Sequence, residues 1–338
     1  MFVTRRIRDA GLNILEEAGV EMRVWPGEED EGPSQDEVIE SARWADVLLS
    51  LLTEPVNRAV MEANPSLLGI AQFAVGYDNI DVGVATELGI PVSNTPGVLT
   101  DTTADLTWAL LLSVSRNIVT GDEYMRGGNY KLWGPNLLLG EDTSPGGDGR
   151  KKILGVVGFG RIGQAVTRRA MGFDMRVLAY DPYAREAIEA DGQAEWADLD
   201  VLLAKSDFVS IHTLLSNETR HLISTAEFEK MKPTAYILNA ARGPIIDEAA
   251  LVVALNEGQI AGAGLDVYER EPEMVQGLAE CKNAVLLPHL GSASRGTRDK
   301  MATMAATNAI AMLQGDRAPN CVNADVYDST AYAKRSGH

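Results

Sequence analysis

The sequence predicts an α/β protein built from two doubly wound, parallel-sheet units. Three observations predict it. From Gly155 onward, short apolar runs alternate with stretches of helical period. Several of those runs are apolar without interruption, as in strands covered on both faces. The first hundred residues show the same alternation on a smaller scale, and repeated strand–helix–strand order is the mark of parallel sheets.

The elements follow in order. In the first part "EMRVW", "ADVLLS", "LLGIAQF" and "IPVSN" are strand candidates. Helix candidates lie between them, from Arg8 to Ala18, Asp36 to Ala42, Glu54 to Ala63 and Val82 to Leu88. A turn at Thr95-Pro96-Gly97 marks a boundary, and a long helix starts near Asp101. Leu139 to Lys152 is the most turn-rich stretch and reads as a loop. Then come strands at "ILGVV", Arg176 to Tyr180, Asp207 to His212, Thr234 to Asn239, Gly262 to Val267 and Ala284 to Pro288. Helices are expected from Arg161 to Met171, Thr225 to Met231, Asp247 to Asn256 and Arg295 to Leu313. The tail beyond Ala318 has no clear period and is expected to fray.

Composition narrows the function classes. The chain has 338 residues, is 45% hydrophobic and 23% charged, and carries a net charge of −18. That is no footprint for nucleic acid. The two cysteines, Cys281 and Cys321, build neither a disulfide framework nor a metal site and suit a reducing compartment. "MFVTRRIRDAG" has no apolar run behind it, so it is not a secretory signal. "TADLTWALLLSV" falls short of the ~20 apolar residues a membrane span needs and reads as a core helix. A cytoplasmic protein is expected, with no membrane partner, no nucleic-acid partner and no metal.

"GVVGFGRIGQAV" carries the most chemistry. Gly158, Gly160 and Gly163 stand in G-x-G-x-x-G spacing between a strand and a helix, and Asp181 ends the next strand. That context is the dinucleotide-binding fingerprint. Gly158 permits the tight turn, Gly160 lets a pyrophosphate approach, and Gly163 lets helix and strand pack closely. Backbone N–H groups near Phe159, Gly160, Arg161 and Ile162 would meet the phosphates at the positive helix end. A carboxylate at Asp181 accepts from ribose hydroxyls and repels a 2′-phosphate. NAD, as NADH in preference to NADPH, is therefore the expected cofactor. Arg185, four residues on, could soften that preference.

Several other stretches resemble one family, in order and over essentially the whole chain. They are "FAVGYDNID", "NTPGVLTDTTADLTWALLL", "LNAARGPIIDEAALVVAL", "AGAGLDVYEREP" and "LLPHLGSAS". Together they resemble the D-isomer-specific 2-hydroxyacid dehydrogenases, nearest the glyoxylate/hydroxypyruvate reductases. The resemblance implies a Rossmann NAD-binding domain (residues 101–289) inserted into a flavodoxin-like substrate domain (residues 1–100 and 290–338), with the active site in the cleft. The helix from Arg295 would return to the first domain, with Met301, Met304 and Met312 in its core. The implied activity is reduction of a small 2-keto acid by a homodimer.

Such a reduction needs an acid for the oxygen and a cation for the carboxylate. His289 follows an apolar strand, where parallel sheets present ligand-facing residues. A nearby carboxylate would keep it protonated and oriented. Taken alone, His289 reads equally well as structural. The family's acid–base pair matches His289 and Glu271, with Glu269 as the rival carboxylate. The family's substrate arginine matches Arg242, whose guanidinium can grip a carboxylate in two places. Val75 and Gly76 would add backbone N–H groups, with Leu52 and Ser292 beside the substrate. Thr103 is implied near the phosphates, Asn239, Ala240 and Ala241 beside the nicotinamide ribose, and Asp266, otherwise a strand-end turn residue, near the carboxamide, with Gly291 adjacent. His212 is placed at a strand end on the adenine side, and His221 on the surface.

The sequence departs from the family in two places. Leu214 stands where a proline is usual, and the loop before Lys152 is longer and richer in glycine. Trp133, just upstream, is either a contact with a neighbouring subunit's active site or a dimer anchor. Rival readings share the fold. Phosphite dehydrogenase would carry a lysine at Val75, and formate dehydrogenase a glutamine at Glu271. Phosphoglycerate dehydrogenase often has a further domain, and D-lactate-type enzymes match the motifs less closely. A dinucleotide-sensing, corepressor-like protein is the rival from another class.

Overall fold

The protein is described by a computed structural model over residues 1–28, 31–146 and 149–336. Gly147 and Asp148 of the turn-rich loop and the terminal His338 lie outside the described residues. The chain divides into two units, Met1–Leu99 with the chain from Ser294 onward, and Thr100–Ala293.

The first unit opens with β1 (Phe2–Val3), α1 (Asp9–Glu17), β2 (Arg23–Val24), α2 (Gln35–Ala42) and β3 (Val47–Ser50). It continues with α3 (Arg58–Glu62), β4 (Gly69–Gln72), α4 (Val82–Glu87) and β5 (Val92–Ser93). Among the described residues its strands form one parallel sheet in the order β2-β1-β3-β4-β5. That is the flavodoxin-like doubly wound order. Caps set the helix starts. Ser34 and Glu37 form a capping box on α2, and Asp81 accepts from Val84 N on α4. The helix expected from Glu54 starts at Arg58 instead. Asn57 caps it through Ala59 N and Val60 N, while Glu54 serves the loop before it. Phe2, Leu48, Met61, Ile70 and Val92 share the core on one side of the sheet.

The second unit begins with α5 (Thr100–Ser115) and α6 (Ile118–Arg126). There follow β6 (Ile153–Val157), α7 (Arg161–Ala170), β7 (Arg176–Tyr180), α8 (Arg185–Asp191), β8 (Glu195–Trp196) and α9 (Leu199–Lys205). Then come β9 (Phe208–Ile211), α10 (Thr225–Phe228), β10 (Tyr236–Asn239), α11 (Glu248–Asn256), β11 (Gly262–Leu265) and β12 (Ala284–Leu286). The sheet is parallel, in the order β12-β11-β10-β9-β6-β7-β8. Strand order reverses between β6 and β9, and such sheets bind ligands beyond the carboxyl ends at that switch point. Two apolar cores cover the sheet. One holds Phe208, Leu238 and Val156 with Trp108 and Leu111 of α5, and the other Ile237, Leu265, Leu202 and Leu251.

The chain then returns to the first unit with α12 (Arg295–Leu313) and α13 (Thr330–Ser336). α12 lies close along α1: a Cβ on Gly11 would fall 2.6 Å from Ala302 O, so only glycine fits there. Met301 and Met312 are buried as expected, but Met304 is half-buried. Over its described residues the tail ends in a helix, Thr330–Ser336, where the sequence shows no clear period. Arg335 donates to Leu88 O, Asn64 O and Leu67 O, and Asn323 donates to Ile90 O. Those bonds tie the tail to carbonyls that helix ends and turns leave open, which no periodicity could reveal.

The boundary near residue 290 also shifts. Leu290–Ala293 group with the second unit, because Leu290 N and Gly291 N donate to Asp266 there. Among the described residues no helix is long and apolar enough to cross a membrane.

Candidate active site

The fingerprint turn follows β6. Gly158 has φ +94°, and a Cβ there would sit 2.6 Å from Thr213 N, so the position excludes any side chain. A Cβ on Gly163 would fall 2.2 Å from Gly158 O, which fixes how closely α7 meets the turn. Gly160 differs: nothing stands within 4 Å of its Cβ position. α7 has no side-chain cap, and among the described residues no acceptor meets the N–H groups of Gly160, Arg161 and Ile162. Open space in front of unpaired donors at a positive helix end suits a pyrophosphate. Phe159, expected among the phosphate donors, packs its ring into the core and gives its N–H to Asp181 instead.

Asp181 does more than the sequence suggested. Its Oδ2 accepts from Phe159 N at 3.0 Å and its Oδ1 from Tyr183 N at 3.0 Å. It therefore clamps the glycine turn to the end of β7. Arg185 is drawn aside, bonded to Glu189 and stacked 4.2 Å from the Trp196 ring.

The turn after β10 is held by Asn239, which is buried. Its Oδ1 accepts from Ala241 N and its Nδ2 donates to Arg242 O. That clamps Ala240 and Ala241 and directs the chain through Arg242, which is half-buried and whose Nη1 donates to Ala241 O at 2.8 Å. After β11, Asp266 is fully buried and accepts from Leu290 N at 2.6 Å and Gly291 N at 2.7 Å. Burial raises its pKa against those bonds and against the charge of His289. The hydroxyl of Thr103 donates to Gly291 O at 3.1 Å, so its proton is used inside the protein. Ser292 follows, half-buried.

The loop after β12 brings His289 and Glu271 together. His289 Nδ1 lies 2.8 Å from Glu271 Oε2, with about a third of each side chain exposed. Glu271 Oε1 accepts from Tyr268 N at 3.1 Å. His289 sits at φ 55°, which turns its ring out of the strand direction while its N–H still bonds Asp266 O. Burial pushes the Glu271 carboxyl up, but the bond to His289, its charge and that of Arg242 prevail, and the net shift is downward. Nε2 of His289 has no partner among the described residues.

The rival carboxylate goes elsewhere. Glu269 Oε2 meets His221 Nε2 at 3.0 Å, and its Oε1 accepts from Glu248 N. His221 lies on the surface as expected, and there it is the partner of a second carboxylate–imidazole pair. Glu248, buried at the start of α11, accepts from Glu269 N and Val275 N. Sequence reading missed it because an acidic residue in a first helical turn is ordinary.

In the first unit, Leu52 and Val75–Gly76 lie on loops after β3 and β4. A buried amide chain holds both. Ser50 Oγ donates to Gln72 Oε1, Gln72 Nε2 to Asn79 Oδ1, and Asn79 Nδ2 to Leu51 O and Glu54 O. Glu54 is buried and accepts from Thr4 Oγ1 and Leu51 N. The only signal for this was polar residues at strand ends. Among the described residues no acceptor meets the N–H groups of Val75 and Gly76.

His212 follows β9, its Nε2 2.7 Å from Ser210 Oγ, and desolvation lowers its pKa to about 3. Leu214 beyond it is exposed. Leu132 and Trp133 are 83% and 72% exposed, within a run from Ile118 to Leu139 that also exposes Val119, Met125 and Tyr130. Among the described residues no cluster of His, Cys, Asp or Glu could hold a metal.

The chain is similar in sequence and in fold to known proteins. Residues 108–291 match the D-isomer specific 2-hydroxyacid dehydrogenase NAD binding domain. A glyoxylate reductase of Korarchaeum cryptofilum is 48% identical over 328 residues, 96% of each chain. A glyoxylate reductase structure from Paecilomyes thermophila superposes with a TM-score of 0.81 at 31% identity, covering 95% of this chain and 97% of that one. An NADPH-dependent glyoxylate/hydroxypyruvate reductase of Sinorhizobium meliloti, solved with NADP and malonate, gives 0.81 at 30% identity and 96% of each chain.

Proposed function

The chain belongs to the D-isomer specific 2-hydroxyacid dehydrogenases, oxidoreductases that use a nicotinamide dinucleotide, and on that premise we propose that it reduces glyoxylate or hydroxypyruvate to the 2-hydroxy acid. The observation that carries the reading is the 2.8 Å contact between His289 Nδ1 and Glu271 Oε2, which leaves Nε2 without a partner among the described residues.

The reduced nicotinamide, when bound, is the source of the electron pair and of the hydrogen that the carbonyl carbon gains. The chain's residues do the rest. His289 gives the proton on Nε2 to the carbonyl oxygen as negative charge builds there. Glu271 holds the ring by Nδ1 and stabilises its charged form until transfer. Arg242 meets the substrate carboxylate and draws charge from the adjacent carbonyl. The N–H groups of Val75 and Gly76 are a donor set of the kind a carboxylate takes. Leu52 and Ser292 are the side chains expected to set substrate size.

The dinucleotide would be held by the N–H groups of Gly160, Arg161 and Ile162 and by the carboxylate of Asp181. A carboxylate there favours NADH over NADPH, because a 2′-phosphate would meet like charge. Arg185, spent on Glu189 and Trp196, offers it little relief. The exposed apolar run through Leu132 and Trp133 is the surface we assign to a homodimer contact.

The test is a substrate panel: purified protein with NADH or NADPH and glyoxylate, hydroxypyruvate, pyruvate or phosphite with NAD. Fastest oxidation of NADH with glyoxylate or hydroxypyruvate is expected. Tight NADH binding without turnover on any acid would favour the dinucleotide-sensing rival, and faster oxidation of NADPH would overturn the cofactor preference.

A further inference from the structure

The segment that carries Glu271 has no regular structure of its own between β11 and β12, yet Glu271 must keep one oxygen on a ring nitrogen. Its anchorage lies in α11. Glu248 Oε1 accepts from Glu269 N at 2.5 Å and Oε2 from Val275 N at 3.2 Å, so one carboxylate grips the segment on both sides of Glu271. The grip is reciprocal, since Glu248 N donates to Glu269 Oε1 at 3.0 Å. Glu269 Oε2 then meets His221 Nε2 at 3.0 Å, and Tyr268 OH donates to Leu287 O just before His289. Glu248 is 3% exposed.

A buried carboxylate is costly unless it accepts hydrogen bonds. Here its acceptors are spent on the backbone of one loop, the loop that carries Glu271. We propose that Glu248 is a positioning residue for the Glu271–His289 pair, setting the reach of the carboxylate to the imidazole through the backbone of Glu269 and Val275. The inference rests on the acid–base reading of that pair. Glu248 touches neither reacting atom.

The charged groups around it are few. Glu269 and Glu271 act on Glu248, His221 meets Glu269, and His289, Arg242 and Asp266 face Glu271. Removing the negative charge of Glu248 would by itself favour a neutral His289, so charge and reach must be separated. Glu248→Asp does this. It keeps the charge, but with one methylene fewer it cannot reach both N–H groups.

The experiment follows the pH profile of kcat/KM for glyoxylate reduction, with NADH affinity read by fluorescence. It compares wild type, Glu248→Asp, Glu248→Gln and Glu271→Gln. A loosened Glu271 supports the imidazolium less, so activity should fail at lower pH. The alkaline limb is expected to move down by about half a unit to one unit in both Glu248 variants and further in Glu271→Gln. NADH affinity should stay within about twofold of wild type. A limb that stays at the wild-type pH in Glu248→Asp while it moves in Glu271→Gln overturns the positioning role, whatever the change in kcat. A limb that does not move even in Glu271→Gln overturns the acid–base reading, and the positioning role falls with it.

Discussion

His289 Nδ1 is held by Glu271 at 2.8 Å, although Glu269 stands two residues nearer the end of β11. The nearer carboxylate is turned to His221 and to the start of α11. Two carboxylate–imidazole pairs thus stand side by side with different duties. One leaves a ring nitrogen facing outward, and the other anchors a loop.

Loss of the acid should stop turnover without emptying the cofactor site. His289→Ala is expected to lower kcat by about 10²- to 10⁴-fold, the range for one general acid. NADH binding, read by fluorescence quenching, should be retained. Wild-type turnover in the variant would remove His289 from the mechanism.

Arg242 should show itself in KM. Arg242→Ala is expected to raise the KM for glyoxylate by about 10-fold to 100-fold, the loss of a charge-assisted hydrogen bond. Arg242→Lys should recover only part of it, because an ammonium lacks the two-pronged donor geometry. An unchanged KM in Arg242→Ala would sink the carboxylate role.

Asp181 has two duties that a graded pair of substitutions compares. Asp181→Asn loses the charge and keeps one oxygen acceptor, enough for one of the two backbone N–H groups that Asp181 holds. The ratio of NADH to NADPH efficiency should fall by about 10-fold or more, with a smaller loss of thermal stability than in Asp181→Ala. Asp181→Ala should lose both, costing a further ~1 kcal/mol or more by freeing Phe159 N and Tyr183 N. A ratio unmoved in both variants contradicts the assignment.

His212 supplies a pH dependence of stability with a definite sign. Its folded pKa is lowered to about 3 by desolvation, so the folded state stays unprotonated where the unfolded chain, near its ordinary ~6.5, takes a proton. Stability is therefore lost as pH falls below about 6.5, at ~1.4 kcal/mol per unit from this group. In His212→Gln that slope should vanish. Between pH 7 and 5 wild type should lose about 2 kcal/mol more than the variant in urea titrations. Parallel losses would show that His212 titrates normally.

The exposed apolar run predicts assembly. Replacing Leu132 and Trp133 together by serine should shift the protein at micromolar concentration from dimer toward monomer in sedimentation. A wild-type protein that already sediments as a monomer would refute the contact.

Legibility followed the range of the interactions. The strand β6, the fingerprint and the helix from about Asp247 were readable because each is a local pattern: an apolar run, a glycine spacing, a helical period. β1 and β8 were not, because two-residue strands exist through their neighbours rather than their own period. α8 and α9 went unmarked beside stronger signals. The tail helix α13 escaped because its purchase is three backbone carbonyls far away in sequence.

The candidate site divides the same way. The sequence by itself determined the residue types at each carboxyl end of the second sheet: glycines after β6, Asp181 after β7, Arg242 after β10, His289 after β12. It could do so because parallel strands always deliver their following residues to one edge. The resemblance names Glu271 over Glu269 as the partner of His289, but the physical reason for that choice is visible only in the tertiary structure. Glu269 and Glu271 are chemically identical and two residues apart. Glu248, brought from α11, takes the backbone N–H of Glu269, whose carboxylate meets His221 while Glu271 meets the imidazole.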